Sequence, residues 1–158
     1  MKKLTNKLSN LRLLGLVLCG LVLSACSQEP PSPQDGPYEL YYDNGQLMER
    51  GFFKNGFYDG LYESYYENGQ LLERGTFKNW NQDGLWEYFN ENGQIWQRIN
   101  YKDDKAHGLT EIFYENGQLL SRGNYRDGDP EGLSEEYDED GNLIATIMWR
   151  NGEIVETN

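Results

Sequence analysis

Apolar and polar positions alternate through most of this chain in a pattern that recurs every 24 residues. In residues 60–83, the run LYESYY at 61–66 is rich in aromatic side chains, which is typical of a β-strand. Asn68-Gly69 follows, and this pair is favoured in type I′ turns, where both central residues have positive φ. The run LLERGTF at 71–77 then has the pattern of a returning strand. The pattern therefore predicts one β-hairpin per repeat and no helix.

The repeat has a fixed length. A phrase of the type Glu-Asn-Gly-Gln-Leu begins at residues 43, 67, 91, 115 and 139. Such a spacing indicates stacked supersecondary units, because one isolated hairpin is marginally stable in water. We expect stacking to bury the aromatic and aliphatic positions of each unit, including the leucine that follows the lead glycine at 61, 85, 109 and 133. The predicted units are 36–59, 60–83, 84–107, 108–131 and 132–155, within a repeat domain of 36–158.

A two-residue loop would set the register of each hairpin. In the second unit it places Tyr65 opposite Leu72, Tyr66 opposite Leu71, and Glu63 opposite Arg74. Cross-strand ion pairs of this kind stabilise a sheet by about 0.2–1 kcal/mol each, so we interpret them as structural rather than catalytic. A three-residue loop would shift the register by one residue. The same offset pairs Glu39 with Arg50, Glu87 with Arg98, Glu111 with Arg122, and Glu135 with Thr146.

Strict alternation places two of the aromatic positions on opposite faces of the sheet. These are the fifth and the seventeenth residue after the lead glycine, such as Tyr65 and Phe77. Two arrangements are compatible with this. Either a bulge at Gly51, Gly75 and Gly123 switches the phase, or the sheet carries aromatic side chains on both faces.

The first 35 residues have a different composition. Residues 1–25 combine a basic head, an apolar run and small residues, which is the order of a secretory signal peptide. The following Cys26 resembles the lipobox cysteine of bacterial lipoproteins, which implies cleavage before it and lipidation at its thiol. Residues 26–35 hold three prolines and form the predicted tether. We expect a lipid-anchored protein of the cell envelope, with an outer membrane favoured where there is one.

Net charge excludes several classes of function. The first 25 residues carry four basic and no acidic side chains, so the remainder has 10 basic and 26 acidic side chains and a formal charge of −16. Such a surface repels phosphates, and we expect no nucleic-acid partner. Cys26 is the one cysteine left after cleavage, and the single histidine, His107, fits a solvated turn. The sequence nominates no catalytic residue, no metal site and no cofactor.

Aromatic residues that break the repeat are the candidates for a contact surface. Tyr38, Tyr62 and Trp86 share one stripe, which continues as threonine and serine in later units. Trp80 lies in a polar turn where the first, fourth and fifth units have glycine, and Trp96 replaces smaller side chains. Tryptophan and tyrosine dominate interface hot spots, while packing between hairpins is the other interpretation of the stripe.

A lead glycine, an aromatic-rich strand, Glu-Asn-Gly-Gln-Leu, and Arg-Gly-x-aromatic-Lys-Asn-Gly together resemble the bacterial MORN-repeat variant. The resemblance covers residue 36 to about residue 155. It implies an all-β, elongated, single-layer antiparallel sheet of hairpins. It also implies binding to proteins and, for some relatives, an antitoxin role.

We therefore expect a lipid-anchored, non-enzymatic scaffold for a protein partner, in one version a basic toxin that it neutralises. The alternative is a lipoprotein that binds carbohydrate or cell wall through its aromatic stripe. A hydrolase with paired carboxylates is a third class, but no acidic residue stands out from the periodic background.

Overall fold

A computed structural model describes residues 34–157 of the chain, which contain thirteen β-strands and no helix. The predicted signal peptide, Cys26 and most of the predicted tether lie outside the described residues. No helix among the described residues is long and apolar enough to cross a membrane. The strands are β1 (Gly36–Tyr41), β2 (Leu47–Lys54), β3 (Phe57–Tyr58), β4 (Gly60–Tyr65), β5 (Leu71–Lys78), β6 (Asn81–Gln82), β7 (Gly84–Phe89), β8 (Ile95–Lys102), β9 (Lys105–Phe113), β10 (Leu119–Arg126), β11 (Asp129–Tyr137), β12 (Leu143–Arg150) and β13 (Glu153–Thr157).

The thirteen strands form one open antiparallel sheet. Its order is β1-β2-β4-β5-β7-β8-β9-β10-β11-β12-β13, with β3 paired to β2 and β6 paired to β5. Each hairpin therefore lies beside the next hairpin in the chain, and no connection crosses the sheet. The predicted fold class, an all-β sheet of five hairpin repeats, is confirmed.

The predicted type I′ turn at Asn68-Gly69 is wrong. The Tyr66 N–H donates to the Gln70 carbonyl at 2.8 Å and the Gly69 N–H donates to the Tyr66 carbonyl at 2.8 Å, which closes a three-residue loop. Gly69 has a φ of 83°, whereas Asn68 is not among the residues with positive φ. This is a type I turn followed by a left-handed glycine. Turns with two positive φ values lie between the hairpins instead, as at Asn55 and Gly56.

The predicted Glu–Arg register is confirmed, although the loop is one residue longer than expected. Glu63 pairs with Arg74, but Tyr65 pairs with Leu71 rather than with Leu72. A bulge beside the loop accommodates Leu72 as an extra residue. The three-residue loop shifts the register one way and the bulge shifts it back, so the Glu–Arg pairs still meet. The same pairing joins Glu39 to Arg50, Glu87 to Arg98, Glu111 to Arg122 and Glu135 to Thr146.

Aromatic side chains occupy both faces of the sheet, which is the second of the two arrangements expected. Within the hairpins, Tyr38 pairs with Gly51 and Tyr62 with Gly75 without any shift in register. The pairing between β10 and β11 does shift across Gly123. We call the face that bears Tyr38, Tyr62 and the rings around them the aromatic face. The opposite face bears the Arg–Glu pairs, and we call it the ion-pair face.

The expectation that the repeated leucines are buried is wrong. Leu61 is 78 % exposed, Leu85 48 %, and Leu109 39 %. They lie beside the glutamates of the ion-pair face, and a single sheet layer leaves that face in contact with solvent. Trp86, at 1 % exposed, is the one fully buried large side chain in the described part of the chain.

Candidate interaction surfaces

A continuous group of aromatic rings covers the first half of the aromatic face. Tyr38 lies 4.7 Å from Phe53 between ring centroids, and Phe53 stacks on Tyr58 at 4.6 Å. Tyr58 continues to Phe77 at 5.3 Å, and Phe77 lies 4.9 Å from Trp86. The rings come from both strands of adjacent hairpins. They therefore hold the hairpins together in a sheet that has no second layer to pack against.

Trp86 belongs to this packing and is not an accessible contact residue. The indole lies over Gly75, where an added Cβ would come within 2.2 Å of its Cδ2 atom. Its N–H donates to the carbonyl oxygen of Thr76 at 3.2 Å. Because Trp86 is 1 % exposed, a partner cannot reach it, and packing between hairpins is the correct interpretation of this residue.

Tyr38 and Tyr62 are half-buried in the same ring cluster. The Tyr62 hydroxyl donates to the Glu49 carboxylate at 3.2 Å, and the Tyr58 hydroxyl approaches the other oxygen of Glu49 at 3.5 Å. Burial raises the pKa of Tyr38 and of Tyr62, with further contributions from the charge of Glu49. Both phenols are therefore neutral. The Tyr62 hydroxyl donates to Glu49, whereas the buried Tyr38 hydroxyl has no hydrogen-bond partner among the described residues.

The second carboxylate of this face, Glu73, accepts a hydrogen bond from the Ser64 hydroxyl at 3.2 Å. Burial raises the pKa of Glu73, and the charge of Glu49 raises it further, while the bond from Ser64 opposes the shift. No three acidic, histidine or cysteine side chains within residues 34–157 converge as a metal site would require.

Trp80 and Trp96 are the exposed members of the predicted contact set. Trp80 is 44 % exposed, and Trp96 is 37 % exposed and lies 5.8 Å from Tyr88. Trp80 packs edge-on against Tyr58 at 4.5 Å and approaches Phe57 at 6.4 Å. Phe57, 47 % exposed, was missed by the sequence reasoning. Its signal is a break in the repeat, because the next unit has Asn81 at that position.

The ion-pair face joins each hairpin to the next through arginine. Arg74 lies opposite Glu63 within its own hairpin, but its Nε atom contacts Glu87 of the following hairpin at 2.6 Å. Its guanidinium also lies 5.6 Å from the ring centroid of Phe89. The same arrangement recurs at Arg50 and Arg122. Arg98 bridges two hairpins instead, with its Nε atom 3.1 Å from Glu87 and its Nη1 atom 3.6 Å from Glu111 of the next hairpin.

The depressions in the described sheet include a wide groove and a smaller cavity. A wide groove of about 800 Å³ lies near β1, β2 and β4 and is lined by Phe52, Leu61 and Arg50 among others. A smaller cavity of about 180 Å³ lies between the fourth and fifth units and is lined by Thr110, Ser134 and neighbouring residues.

His107 lies in strand β9 rather than in a turn, which corrects the expectation for this residue. Its side chain is 40 % exposed, and its Nδ1 atom lies 3.4 Å from the Asp127 carboxylate. It belongs to neither depression.

Comparison with known proteins gives one informative match. No curated protein matches the chain. The crystal structure of TarM is similar at 15 % sequence identity and a TM-score of 0.40, and the aligned region covers 66 % of this chain and 20 % of the TarM chain. A second structure is that of a mutant TarM from S. aureus in complex with Fondaparinux, alpha-GlcNAc-glycerol and UDP. It is 13 % identical with a TM-score of 0.41, and the aligned region covers 75 % of this chain and 21 % of the TarM chain. This chain thus spans about a fifth of the length of either.

The family model is matched over most of the repeat region. The model described as "MORN repeat variant" matches residues 34–55, 58–79, 82–103, 106–127 and 130–154. These five segments follow the same 24-residue period as the hairpins of the sheet. The chain belongs to the MORN repeat variant family and is a scaffold of five such repeats.

Proposed function

We propose that this chain is a lipid-anchored, non-enzymatic scaffold that binds a basic protein at the cell envelope. The observation that carries the proposal is the open sheet itself, which leaves large apolar side chains uncovered on a strongly acidic chain. Exposed apolar patches rimmed by polar residues mark interaction sites in soluble proteins. The exposed side chains include Leu40, Phe52, Phe57, Leu61, Trp80, Leu85, Leu109 and Leu133.

Charge supports a basic partner. The sequence after residue 25 has a formal charge of −16, and complementary charge accelerates encounter between proteins. In the most specific version of the proposal, the partner is a toxin whose basic surface the sheet covers. The anchor would be a lipid on Cys26, and the tether would hold the sheet away from the bilayer.

Ring packing supports a protein partner over a carbohydrate. A sugar-binding platform needs open aromatic faces, whereas Tyr62 and Trp86 pack against each other at 5.9 Å and Trp86 is buried. The stripe on which the carbohydrate alternative depends therefore has no free ring at its centre.

The test is capture of a partner by the full-length protein from detergent extracts of its own cells. We expect a protein of basic isoelectric point that is retained at about 50 mM salt and released at higher salt, because screening weakens complementary charge. A variant with Leu85→Ser and Leu109→Ser should retain less of it, and Glu115→Gln is the control at an exposed loop position. Failure to capture any protein at either salt concentration would refute the proposal.

The anchor has its own test. Cys26→Ser should move the protein from the membrane fraction to the soluble fraction and abolish incorporation of labelled palmitate. Membrane retention of the Cys26→Ser protein would contradict lipid anchoring.

A further inference from the structure

The slot that holds Trp86 is a template for the rest of the aromatic face. Its floor is Gly75. The rings of Phe77, Tyr62, Tyr88 and Tyr101 surround the indole at centroid distances of 4.9, 5.9, 6.3 and 6.4 Å. The carbonyl of Thr76 accepts the indole N–H at 3.2 Å. The slot thus gives the indole a glycine floor, surrounding rings and one hydrogen-bond acceptor.

Two repeats further along the chain, the equivalent slot lacks its tryptophan and keeps two of the four rings, because Thr110 and Glu136 stand at the positions of Tyr62 and Tyr88. Gly123 stands at the floor position, and Tyr125 and Trp149 stand at the two remaining ring positions. Ser134 occupies the position equivalent to Trp86, and an added Cβ on Gly123 would lie 2.9 Å from the Ser134 Cβ. A cavity of about 180 Å³ is lined by these four residues and their neighbours. Enclosed apolar cavities of about 150 Å³ bind benzene, so the volume here is large enough for one aromatic ring, although its lining is more polar.

Polar groups in this cavity suit a ring with a hydrogen-bonding group. Thr110 is 8 % exposed, and its hydroxyl has no hydrogen-bond partner among the described residues. A buried hydroxyl without a partner is unfavourable, so a ligand that bonds to it gains affinity. The Trp149 indole already donates to the Ser134 hydroxyl at 2.8 Å. Asn124 lines the cavity at the position equivalent to Thr76, whose carbonyl accepts the indole in the template.

We propose that this slot binds a tryptophan or tyrosine side chain of the protein partner. It is the one place on the aromatic face where the repeat builds a ring site and supplies a small side chain to it. Buried aromatic anchors in pockets carry most of the energy of many interfaces. The charged residues that line the cavity are Arg122, Glu135 and Glu136, and their net negative charge matches a basic surface around the inserted ring. The identification of the ligand as a partner's side chain rests on the proposed function, whereas the capacity of the slot for a ring does not.

The first experiment uses N-acetyl-tryptophanamide as a probe, titrated into the protein and followed by amide NMR shifts. We expect saturable shifts confined to the neighbourhood of Thr110, Gly123 and Ser134. Thr110→Val should weaken binding about fivefold, the effect of one lost hydrogen bond. Trp80→Ala should leave binding unchanged. Loss of binding in Trp80→Ala, with Thr110→Val unaffected, would show stacking on the exposed indole and overturn the proposal.

Filling the slot from within gives the sharper test. Ser134→Trp should place an indole over Gly123 as Trp86 lies over Gly75, and abolish probe binding while the protein remains folded by circular dichroism. Trp86→Ser should open the template slot and create a second probe site. Undiminished probe binding by folded Ser134→Trp overturns the proposal, even if Trp86→Ser proves too unstable to measure.

Partner capture separates this inference from the general function. A partner captured by the parent protein and lost with Ser134→Trp supports both. A partner captured equally by the two proteins overturns the slot and leaves the binding function intact. Saturable probe binding without any captured partner supports the slot and contradicts the protein-binding function.

Discussion

At the residue scale, small side chains decide where large ones can lie in this sheet. Trp86 is buried because Gly75, on the neighbouring hairpin, leaves room for the whole indole against the backbone. The same relation holds for Tyr38 over Gly51, where an added Cβ would lie 2.9 Å from the Tyr38 Cε1 atom. The sequence shows the glycines, but the ring that covers each one lies on the neighbouring hairpin for Gly75 and on the paired strand of the same hairpin for Gly51. The burial of Trp86 therefore could not be predicted before the register was known.

Gly75→Ala should be among the most damaging small substitutions in the protein. The added methyl would lie 2.2 Å from Cδ2 of Trp86 and must displace the indole. Overpacking of this kind costs about 3 kcal/mol. Gly51→Ala, with its closest contact at 2.9 Å, should lose about 1 kcal/mol. Urea unfolding followed by tryptophan fluorescence measures both, and equal stability of the two variants would contradict the packing described.

Glu73 gives a pH-dependent effect on stability. Its pKa is raised in the folded protein by burial and by Glu49, so folding favours its protonated form. The stabilisation is present below the unfolded-state pKa and is lost as pH rises through the folded-state pKa. Glu73→Gln should raise the melting temperature by about 2–4 °C at pH 7, allowing for solvent screening, and by less at pH 4.

The matched control for that experiment is Glu115→Gln, at an exposed loop position. It should change the melting temperature little at either pH. A stabilisation by Glu73→Gln that is larger at pH 4 than at pH 7 would reverse the sign of the linkage and contradict the assignment.

At the element scale, the hairpins and their Glu–Arg register could be predicted, but the turn types could not. Asn-Gly suits both a two-residue loop and a three-residue loop with one left-handed glycine. In the first unit both turns contain this pair, at residues 44–45 and 55–56, so local chemistry alone did not distinguish them. The extra residue of the bulge, such as Leu72, compensated the longer loop. The loop is one residue longer than predicted and the bulge adds one residue on the returning strand, so the two deviations cancel and the predicted ion-pair partners are correct.

The turns between hairpins impose positive φ on a bulky residue. Trp80 has a φ of 72°, where the equivalent Gly56 has 78°. A side chain in this region costs about 1–2 kcal/mol relative to glycine. Trp80→Gly should consequently be more stable than Trp80→Ala by about 1 kcal/mol, although both lose the contact with Tyr58. The measurement is chemical denaturation of the pair. Equal stabilities would mean that the turn relaxes when the indole is removed.

At the scale of the whole sheet, stability comes from contacts between neighbours. One large side chain is fully buried among the described residues. Each hairpin is joined to the next by strand pairing and arginine, and in the first half of the sheet also by packed rings. Such a protein resembles a one-dimensional array in which each repeat contributes its own stability and an interface term. In such an array, a position can take on a function of its own where its side chain differs from the side chains at the equivalent positions of the other repeats. The slot at Gly123 and Ser134 is an example, because it is recognised by comparing these residues with Gly75 and Trp86, 48 positions earlier.

The array predicts that whole repeats can be removed. Deletion of residues 108–131 joins His107 to Gly132, which reproduces the natural junction of His107 with Gly108. The shortened protein should fold cooperatively, with an m-value lower by about one fifth, because m scales with the surface exposed on unfolding. Deletion of residues 108–130 removes one residue fewer and would turn every side chain of the last unit to the opposite face. It should destabilise the protein far more than the larger deletion. Urea unfolding of the two proteins decides the matter, and equal stability would mean that the hairpins do not depend on one another's register.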